Sequence, residues 1–409
     1  MAGEGPVEPG WVEGASAVLC YQSGMARRRE LLPYALVSGS MTLGYGSIYT
    51  LLADLRDRFG FSGTQLGLIV AAGFLAGFVA QLVLSRLADR GRAAIMVRGG
   101  AAVAALAMLG GAFASRFWEF VLVRLLLGLG SGAVSPAIRR IVISHDPERV
   151  GANLGRLASF DVAGFVLGPL VAAVSAQLLG IRAPFVLLAA ILAGVVVLTA
   201  RLDLSAGPAN EERHVMRGLL SVPKMRAALS ACVAFYVTVG LFEAVWAVLL
   251  RDHGAQTWLI GLTLSTFTVP MIFLAPLGGR EAQRRGPIRV VSLSIAVATA
   301  CTFSYGVLPS LWMLLAMSLV HAVADSFTMP GNQVAAAIAS PPEHASSAQG
   351  LLGATGLAVA GLTGLVAGYA YQHAVRAAVF GGASAIMAAF LIAAVILDRG
   401  SAEVVPVGP

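Results

Sequence analysis

Twelve apolar segments, each about 20 residues long, follow one another along this chain of 409 residues. A helix of about 20 residues crosses the ~30 Å hydrocarbon core of a bilayer, so each segment is long enough to span a membrane. The composition agrees, because 57% of the residues are hydrophobic and 12% are charged, whereas soluble domains have about 25% charged residues. The sequence therefore predicts an all-α integral membrane protein with twelve transmembrane helices. Their predicted ranges are 31–53, 64–84, 94–114, 117–143, 151–179, 182–200, 226–250, 257–278, 287–308, 310–338, 344–370 and 375–397.

The basic residues mark one side of the membrane. If the amino terminus is cytoplasmic, 21 arginines and lysines fall in inner segments and six in outer connections, as the positive-inside rule requires. Both termini are therefore predicted to be cytoplasmic, in a multi-pass protein of the plasma membrane. Since the net charge of +7 is spread over these connections, no nucleic-acid partner is predicted. The three cysteines are scattered, which argues against a disulfide framework or a thiolate metal site, and no cofactor is predicted.

The first 24 residues differ from the rest of the chain. They contain no basic residue and no signal-peptide pattern, whereas Met25 is followed by three arginines and then by the first span. Two interpretations remain open: translation begins at Met25, or residues 1–24 form a disordered tail. In both, residues 1–30 are predicted to be an N-terminal tail.

The two halves of the chain repeat each other at a distance of 194 residues. Pro136 coincides with Pro330, and Arg90 coincides with Arg284. Six spans precede a hydrophilic stretch and six follow it. Parallel repeats of this kind imply a substrate path between two bundles. The predicted divisions are an N-terminal six-helix bundle over 31–200, a cytoplasmic linker over 201–225, a C-terminal six-helix bundle over 226–397 and a cytoplasmic tail over 398–409.

The connection after the second span carries a recognisable motif. It reads SRLADRGR at residues 85–92 and resembles the Gly-x-x-x-Asp-Arg-x-Gly-Arg-Arg loop of the major facilitator superfamily, which has this type of repeat. Serine replaces the first glycine, one residue is missing, and Gln283 stands where an acid is common in the second copy. The resemblance implies a fold of two pseudo-symmetric bundles and a conformational latch, although a solvated loop that only fixes topology is an alternative. The implied latch residues are Asp89, Arg90, Arg92 and Arg284.

The fifth span carries the most specific motif. Gly155, Gly164, Gly168 and Pro169 have the spacing of the helix-5 antiporter motif, Gly-x8-Gly-x3-Gly-Pro, of the superfamily's twelve-helix drug:proton antiporters. The last two glycines of that motif are alanines here, and the second half lacks the pattern. Generic packing of small residues would explain the glycine stripe but not the whole spacing. The resemblance implies proton-coupled efflux of a small molecule, such as a drug or an amphiphilic metabolite.

Ionisable residues inside the spans are candidates for proton coupling, because a charge at membrane depth is costly and needs a partner or water. Arg124, in RLLLGLGSG of the fourth span, resembles the superfamily's intramembrane arginine motif, and bracing of the helix is the alternative. A carboxylate in a poorly hydrated cavity can exchange its proton near neutral pH. For each acid the alternative is a structural hydrogen bond or a static ion pair. The candidates are Glu243 and Asp325, then Asp161, together with Arg124 and His321.

In the superfamily, helices 1, 4, 7 and 10 line the central cavity, so the resemblance places Arg124, Glu243, His321 and Asp325 around it. Aromatic residues on the same spans are predicted to line the substrate cavity: Tyr45, Tyr49, Tyr236 and Trp246.

No motif for enzymatic chemistry is present, since the sequence has no HExxH, P-loop, GxSxG or CxxC pattern. We therefore predict a transporter without catalytic residues or metal, acting as a monomer on a small molecule and protons within the lipid bilayer. Two other functions remain open: a proton-coupled uptake symporter for a nutrient or metabolite, and a non-transporting membrane sensor.

Overall fold

The computed structural model describes residues 31–48, 58–61, 63–207, 215–255 and 257–400. These ranges contain twelve long helices and no strand. Tyr49 lies outside the described residues, as do the predicted tail 1–30 and residues 401–409. The long helices are α1 (31–48), α2 (Gly63–Leu87), α3 (Ala93–Phe113), α4 (Phe117–His145), α5 (Val150–Leu179), α6 (Ala183–Ala200), α7 (Pro223–Asp252), α8 (Thr257–Arg285), α9 (Pro287–Tyr305), α10 (Leu311–Ile338), α11 (Ala345–His373) and α12 (Arg376–Gly400).

The helices lie where the apolar segments predict them, with differences at the ends. α8 continues to Arg285, seven residues beyond the predicted span, because the polar residues after Gly278 remain helical outside the apolar part. α7 begins at Pro223, within the predicted linker, where a proline suits the first helical turn because its missing N–H needs no partner there. Nine segments of the described chain are long and apolar enough to cross a membrane, and one of them, Ala71–Phe113, covers both α2 and α3.

The packing of the first six helices is repeated in the last six. In the first bundle α2 and α3 both pack on α4, and α3 packs on α6. The corresponding pairs in the second bundle are α8 with α10, α9 with α10, and α9 with α12. Small residues allow these close approaches, since a Cβ atom on Gly130 would lie 2.5 Å from the carbonyl oxygen of Gly100.

The two bundles meet through two related helix pairs, α5 with α8 and α2 with α11. Because the helices alternate in direction, several connections lie at one end of the bundles, which we call the linker face: those between α2 and α3, α4 and α5, α8 and α9, and α10 and α11, together with the linker. The contacts between the bundles described below lie near this face.

The described parts of the linker pack against both bundles. Tyr34 of α1 donates a hydrogen bond to the carbonyl oxygen of Asp203 at 2.7 Å. The backbone N–H of Ser205 donates to the Asp203 carboxylate and lowers its pKa. A short helix, Val215–Ser221, then buries Leu219 against residues of α7, α10 and α11. The linker is therefore attached to the helices along its described length.

Candidate functional site

Arg124 lies on α4 between α1 and α2, with no exposed surface. Its Cζ atom is 4.1 Å from the centre of the Tyr45 ring, and its Nη1 donates to the Tyr45 carbonyl oxygen at 3.2 Å. A Cβ atom at residue 73 would lie 2.7 Å from the Arg124 Nε, so Gly73 of α2 leaves space for the guanidinium. The arginine is thus held by an aromatic face and a backbone carbonyl, two contacts that stabilise a charge at membrane depth.

Glu243 lies on α7 and faces the space between the bundles. Its side chain is accessible although protein atoms surround it on most sides, as expected on the wall of a cavity. Its charge acts on the hydroxyl groups of Tyr45 from the first bundle and Tyr236 from its own helix. The structure therefore brings Glu243, Tyr45, Arg124 and Tyr236 into one region, which we call the axial set.

Asp161 of α5 is engaged in fixed contacts. Its Oδ1 accepts a hydrogen bond from the Ser38 hydroxyl at 2.5 Å, and its Oδ2 lies 3.2 Å from Nη2 of Arg139. Arg139 also donates to Ser135 on its own helix. This arrangement joins α1, α4 and α5 inside the first bundle, and both oxygens of the carboxylate have partners.

His321 and Asp325 share a face of α10, with 3.6 Å between Nε2 and Oδ2. That face is turned into the C-terminal bundle. The hydroxyl of Tyr305 on α9 lies 3.1 Å from Nδ1 of His321, and the ring of Phe267 on α8 meets the imidazole edge-on. The spacing of four residues predicts the shared face but not which neighbours it meets.

Trp246 is also inside the C-terminal bundle, although its sequence position on α7 predicts a place in the substrate cavity. It is 2% exposed, stacks on Phe242 and donates to the Thr263 hydroxyl at 3.1 Å. Phe242 and Trp246 are four residues apart and share a helix face, which packs toward Tyr305. The structure thus separates Trp246, His321 and Asp325 from Arg124.

Asp89 joins the bundles at the linker face. Its Oδ1 accepts from the backbone N–H of Ser346 at 3.0 Å, and its Oδ2 from that of Ser347 at 2.7 Å, both in the first turn of α11. The free N–H groups at a helix start favour an anion. Arg140 of α4 completes the site, with Nη1 at 2.8 Å from Oδ1, and is fully buried.

The other residues predicted for the latch take different positions. Arg90, Arg92 and Arg284 are exposed. The chain leaves helical geometry directly after Asp89, at Arg90 and at Gly91, whose φ of +77° suits glycine. The side chains that follow therefore point away from the contact. Sequence reasoning missed Arg140, which fills the role expected of the loop arginines.

Gln283 occupies the position related to Asp89 by the repeat. Its Oε1 accepts from the backbone N–H of Gly151 at 2.6 Å, and its Nε2 donates to the Glu148 carbonyl oxygen at 2.8 Å. These contacts hold the start of α5. A Cβ atom on Gly151 would lie 2.0 Å from the carbonyl oxygen of Gly279, so the helices touch backbone to backbone here.

The glycines of the helix-5 motif face two different helices. A Cβ atom on Gly155 would lie 2.3 Å from the carbonyl oxygen of Ala275 on α8. On Gly164 and Gly168 it would lie 2.0 Å and 2.4 Å from carbonyl oxygens of α1. Pro169 follows within the same helix. The motif therefore allows α5 to approach α1 within its bundle and α8 across the bundle boundary.

No metal centre is evident in the described ranges, where no group of three or more His, Cys, Asp or Glu side chains could hold an ion. Two helical bundles that repeat one another and enclose a charged axis define a transporter of small molecules embedded in the membrane.

The chain belongs to the Major Facilitator Superfamily, whose family model matches residues 34–245 and 227–407. This confirms the predicted family and the two-bundle fold, and its members are transporters, not enzymes. The chain is 26% identical over 278 residues to the multidrug resistance protein MdtG of Salmonella typhi, covering 65% of this chain and 69% of that protein. The match to MdtG of Salmonella newport has the same identity and coverage.

Solved structures share the fold at low sequence identity. The human organic anion transporter MFSD10 (TETRAN) superposes with a TM-score of 0.74 at 16% identity, over 90% of this chain and 99% of that one. The transporter FucP, in its outward conformation, gives a TM-score of 0.72 at 16% identity, over 90% and 98% of the two chains.

Proposed function

We propose that this transporter exports a small molecule, a drug or an amphiphilic metabolite, in exchange for protons by alternating access. The observation that carries the proposal is the position of Glu243, a single accessible carboxylate of the axial set that borders both bundles. A proton and a cationic cargo compete for such a group, because each neutralises the same charge. That competition is sufficient for antiport. The names of the MdtG relatives support a drug-like cargo.

The resemblance of the helix-5 motif to that of drug:proton antiporters and the names of the MdtG relatives support export as the direction. In this proposal the linker face is cytoplasmic, since it carries most of the basic residues, and both termini lie on that side of the plasma membrane. The Asp89 and Gln283 contacts then close the protein toward the cytoplasm. In this state an exported cargo would leave toward the opposite face.

The other predicted proton carriers have lesser roles in this proposal. Asp161 acts as a static partner of Arg139, because both of its oxygens are already bonded. His321 and Asp325 act inside the C-terminal bundle, where a change in protonation would be transmitted through Tyr305 to α9. Arg124 braces α1 and α4 and sets the potential around Tyr45. We propose Glu243 as the primary proton carrier and a monomer as the transporting unit.

Proteoliposomes loaded with ethidium, a cationic fluorescent probe, test the proposal under an imposed pH gradient. We expect the wild-type protein to move ethidium against the proton flow and Glu243→Gln to lose gradient-driven transport at least tenfold. Exchange of ethidium without a gradient should also fall in that variant, because the neutral amide mimics the protonated acid and offers the cation no negative charge.

Glu281→Gln is the matched control, since Glu281 lies near the linker face and pairs with Arg285 on its own helix. Its gradient-driven transport should equal that of the wild type. Ethidium moving with the protons would identify an uptake symporter. Full activity of Glu243→Gln would refute the assigned carrier.

A further inference from the structure

A second polar site lies on the linker-face side of the axial set. A small cavity of about 50 Å³ lies between α4, α7, α10 and α11, large enough for one polar group of a larger molecule. Arg139 on its wall is 15 residues beyond Arg124, which is about 22 Å along the helix. Cys232 on its wall is 11 residues from Glu243, or about 16 Å along α7. The cavity therefore lies nearer the linker face than Glu243 does, and Tyr236 of the axial set forms part of its wall.

Three buried amide side chains form one wall of this cavity. Asn332 and Gln333 of α10 and Gln349 of α11 are 3%, 6% and 1% exposed. Both polar atoms of Asn332 and the Oε1 atoms of both glutamines have no hydrogen-bond partner among the residues that the structure describes. Buried polar groups are almost always hydrogen-bonded, because losing water without a replacement is costly. Such a concentration of unsatisfied amides indicates that another molecule completes the site.

One of the three amides, that of Gln349, is held in place by a hydrogen bond. Nε2 of Gln349 donates to the backbone carbonyl oxygen of Gln333 at 2.8 Å, which ties α11 to α10. Its Oε1 therefore has a set position on the cavity wall. The rings of Phe235 and Tyr236, 5.1 Å apart and nearly perpendicular, form an apolar side of the same cavity. The site thus combines hydrogen-bonding groups with an aromatic surface.

The charges at the cavity are already paired. Arg139 is bonded to Asp161 and to Ser135, so it has a compensated charge. A carboxylate would compete with Asp161 for the arginine, and a cation would find amide oxygens but no free acid among the described lining residues. A neutral group that both donates and accepts hydrogen bonds matches the open Nδ2 and Oδ1 of Asn332 and the open glutamine oxygens.

We propose that this cavity, which we call the amide pocket (Arg139, Tyr236, Asn332, Gln333 and Gln349), binds a neutral carboxamide or hydroxyl group carried on an apolar body. The proposal rests on the transport function proposed above and adds that, among the cargoes, molecules that also carry such a group are preferred. If the linker face is cytoplasmic, the amide pocket lies on the side from which an exported molecule enters. It would recognise the neutral polar group before the cargo reaches Glu243.

Equilibrium binding of tritiated benzamide to the purified protein in nanodiscs tests the proposal, with benzoate and benzylamine as competitors of the same shape. We expect benzamide to bind and unlabelled benzamide to compete at least tenfold better than the charged analogues. Asn332→Leu and Gln333→Met should each weaken binding at least tenfold. Asn153→Leu is the matched control, a buried asparagine of α5 that is bonded to Asp146 outside the cavity, and it should bind as the wild type does.

The melting temperature separates a binding role from a structural one. Because the amides lack partners, Asn332→Leu should leave the melting temperature of the ligand-free protein unchanged or raise it. A lower melting temperature with unchanged binding would assign the amides a structural role and overturn the proposal. So would a preference for benzoate or benzylamine.

The same proteins in the ethidium assay distinguish the two proposals. Benzamide binding that depends on Asn332, without any gradient-driven transport, would keep the amide pocket and overturn antiport. Gradient-driven transport with no benzamide binding by the wild type would keep antiport and overturn the amide pocket.

Discussion

The two halves close the linker face at equivalent positions but with different chemistry. In the first half the carboxylate of Asp89 accepts N–H groups at the start of α11, and Arg140 is buried beside it. In the second half the neutral amide of Gln283 accepts the N–H of Gly151 at the start of α5. Residue 334, which corresponds to Arg140, is Val334. The two halves therefore share the position of this contact but not its charge.

The two contacts therefore differ in strength and in whether they need a buried counter-charge. Hydrogen bonds to a charged group contribute about 1.5–3 kcal/mol, against about 0.5–1.5 kcal/mol for neutral ones. The carboxylate, however, is buried at 1% exposure and depends on its arginine. The Gln283 contact needs no counter-charge and is supported by the backbone contact of Gly151 with Gly279. We infer that the Asp89 contact is the stronger one but requires Arg140, and that the Gln283 contact is weaker but requires no charged partner.

The largest expected effect comes from Arg140→Met. The substitution leaves Asp89 buried without its cation, and breaking a buried ion pair in this way costs about 3–5 kcal/mol. It also removes the bonds from Arg140 to the carbonyl oxygens of Ala88 and Ala206. We expect a clear fall in the melting temperature of the purified protein. Arg90→Met, an exposed control on the same connection, should melt like the wild type. Equal melting of the two variants would contradict the dependence of Asp89 on Arg140.

Asp89→Asn should have the next largest effect, on conformation rather than on folding. The amide cannot replace the charge-assisted bonds to α11, so the closed linker face loses about 1.5–3 kcal/mol. The proportion of open protein should rise roughly ten- to hundredfold. Cys232, fully buried in the closed state, reports opening through its rate of alkylation by N-ethylmaleimide in a background with the other two cysteines changed to serine. An unchanged rate would exclude the latch.

Gln283→Leu tests the neutral half in the same assay. It removes the bonds to Gly151 and to the Glu148 carbonyl oxygen, one of which is exposed. We expect the alkylation of Cys232 to accelerate only about three- to tenfold, since neutral hydrogen bonds are weaker. Acceleration equal to that of Asp89→Asn would show that the charge of Asp89 does not strengthen its contact relative to that of Gln283.

Arg284→Gln should have the smallest effect. The side chain is exposed at the end of α8, and changes at such positions usually alter stability by less than about 0.5 kcal/mol. We expect the alkylation rate of Cys232 to stay within about twofold of the wild type. A larger change would restore Arg284 to the latch that the sequence motif implies.

Much of the fold could be predicted from the sequence because each membrane helix has a local signal. An apolar segment of the right length specifies a span without reference to its neighbours, and the motif at residues 85–92 identifies Asp89. The partner of Asp89 could not be predicted in this way. Arg140 stands beside Arg139 at the end of a span, like any residue that marks the cytoplasmic side, and only packing reveals that it is fully buried.

The same limit applies to the candidate site. Helical spacing places His321 and Asp325 on one face of α10, and the structure agrees. Which neighbours that face meets depends on the rotation of α10 against α8 and α9. The sequence periodicity marks the face but does not identify the side chains opposite it. The amides of the amide pocket were overlooked for a related reason. Neutral amides within a span are a weaker sequence signal than charges, although burying them without partners is also costly.

The turn between α2 and α3 couples the Asp89 contact to the movement of α2. Arg90, Gly91 and Arg92 depart from helical geometry there, so the bend between the two helices is confined to three residues. Asp89 lies one residue before this bend, beside the end of α2 that is nearest the linker face. A small displacement at the bend becomes a large one at the far end of the helix, near the opposite face. Breaking the Asp89 contact with α11 and tilting α2 would then be a single movement, because Asp89 lies directly beside the bend.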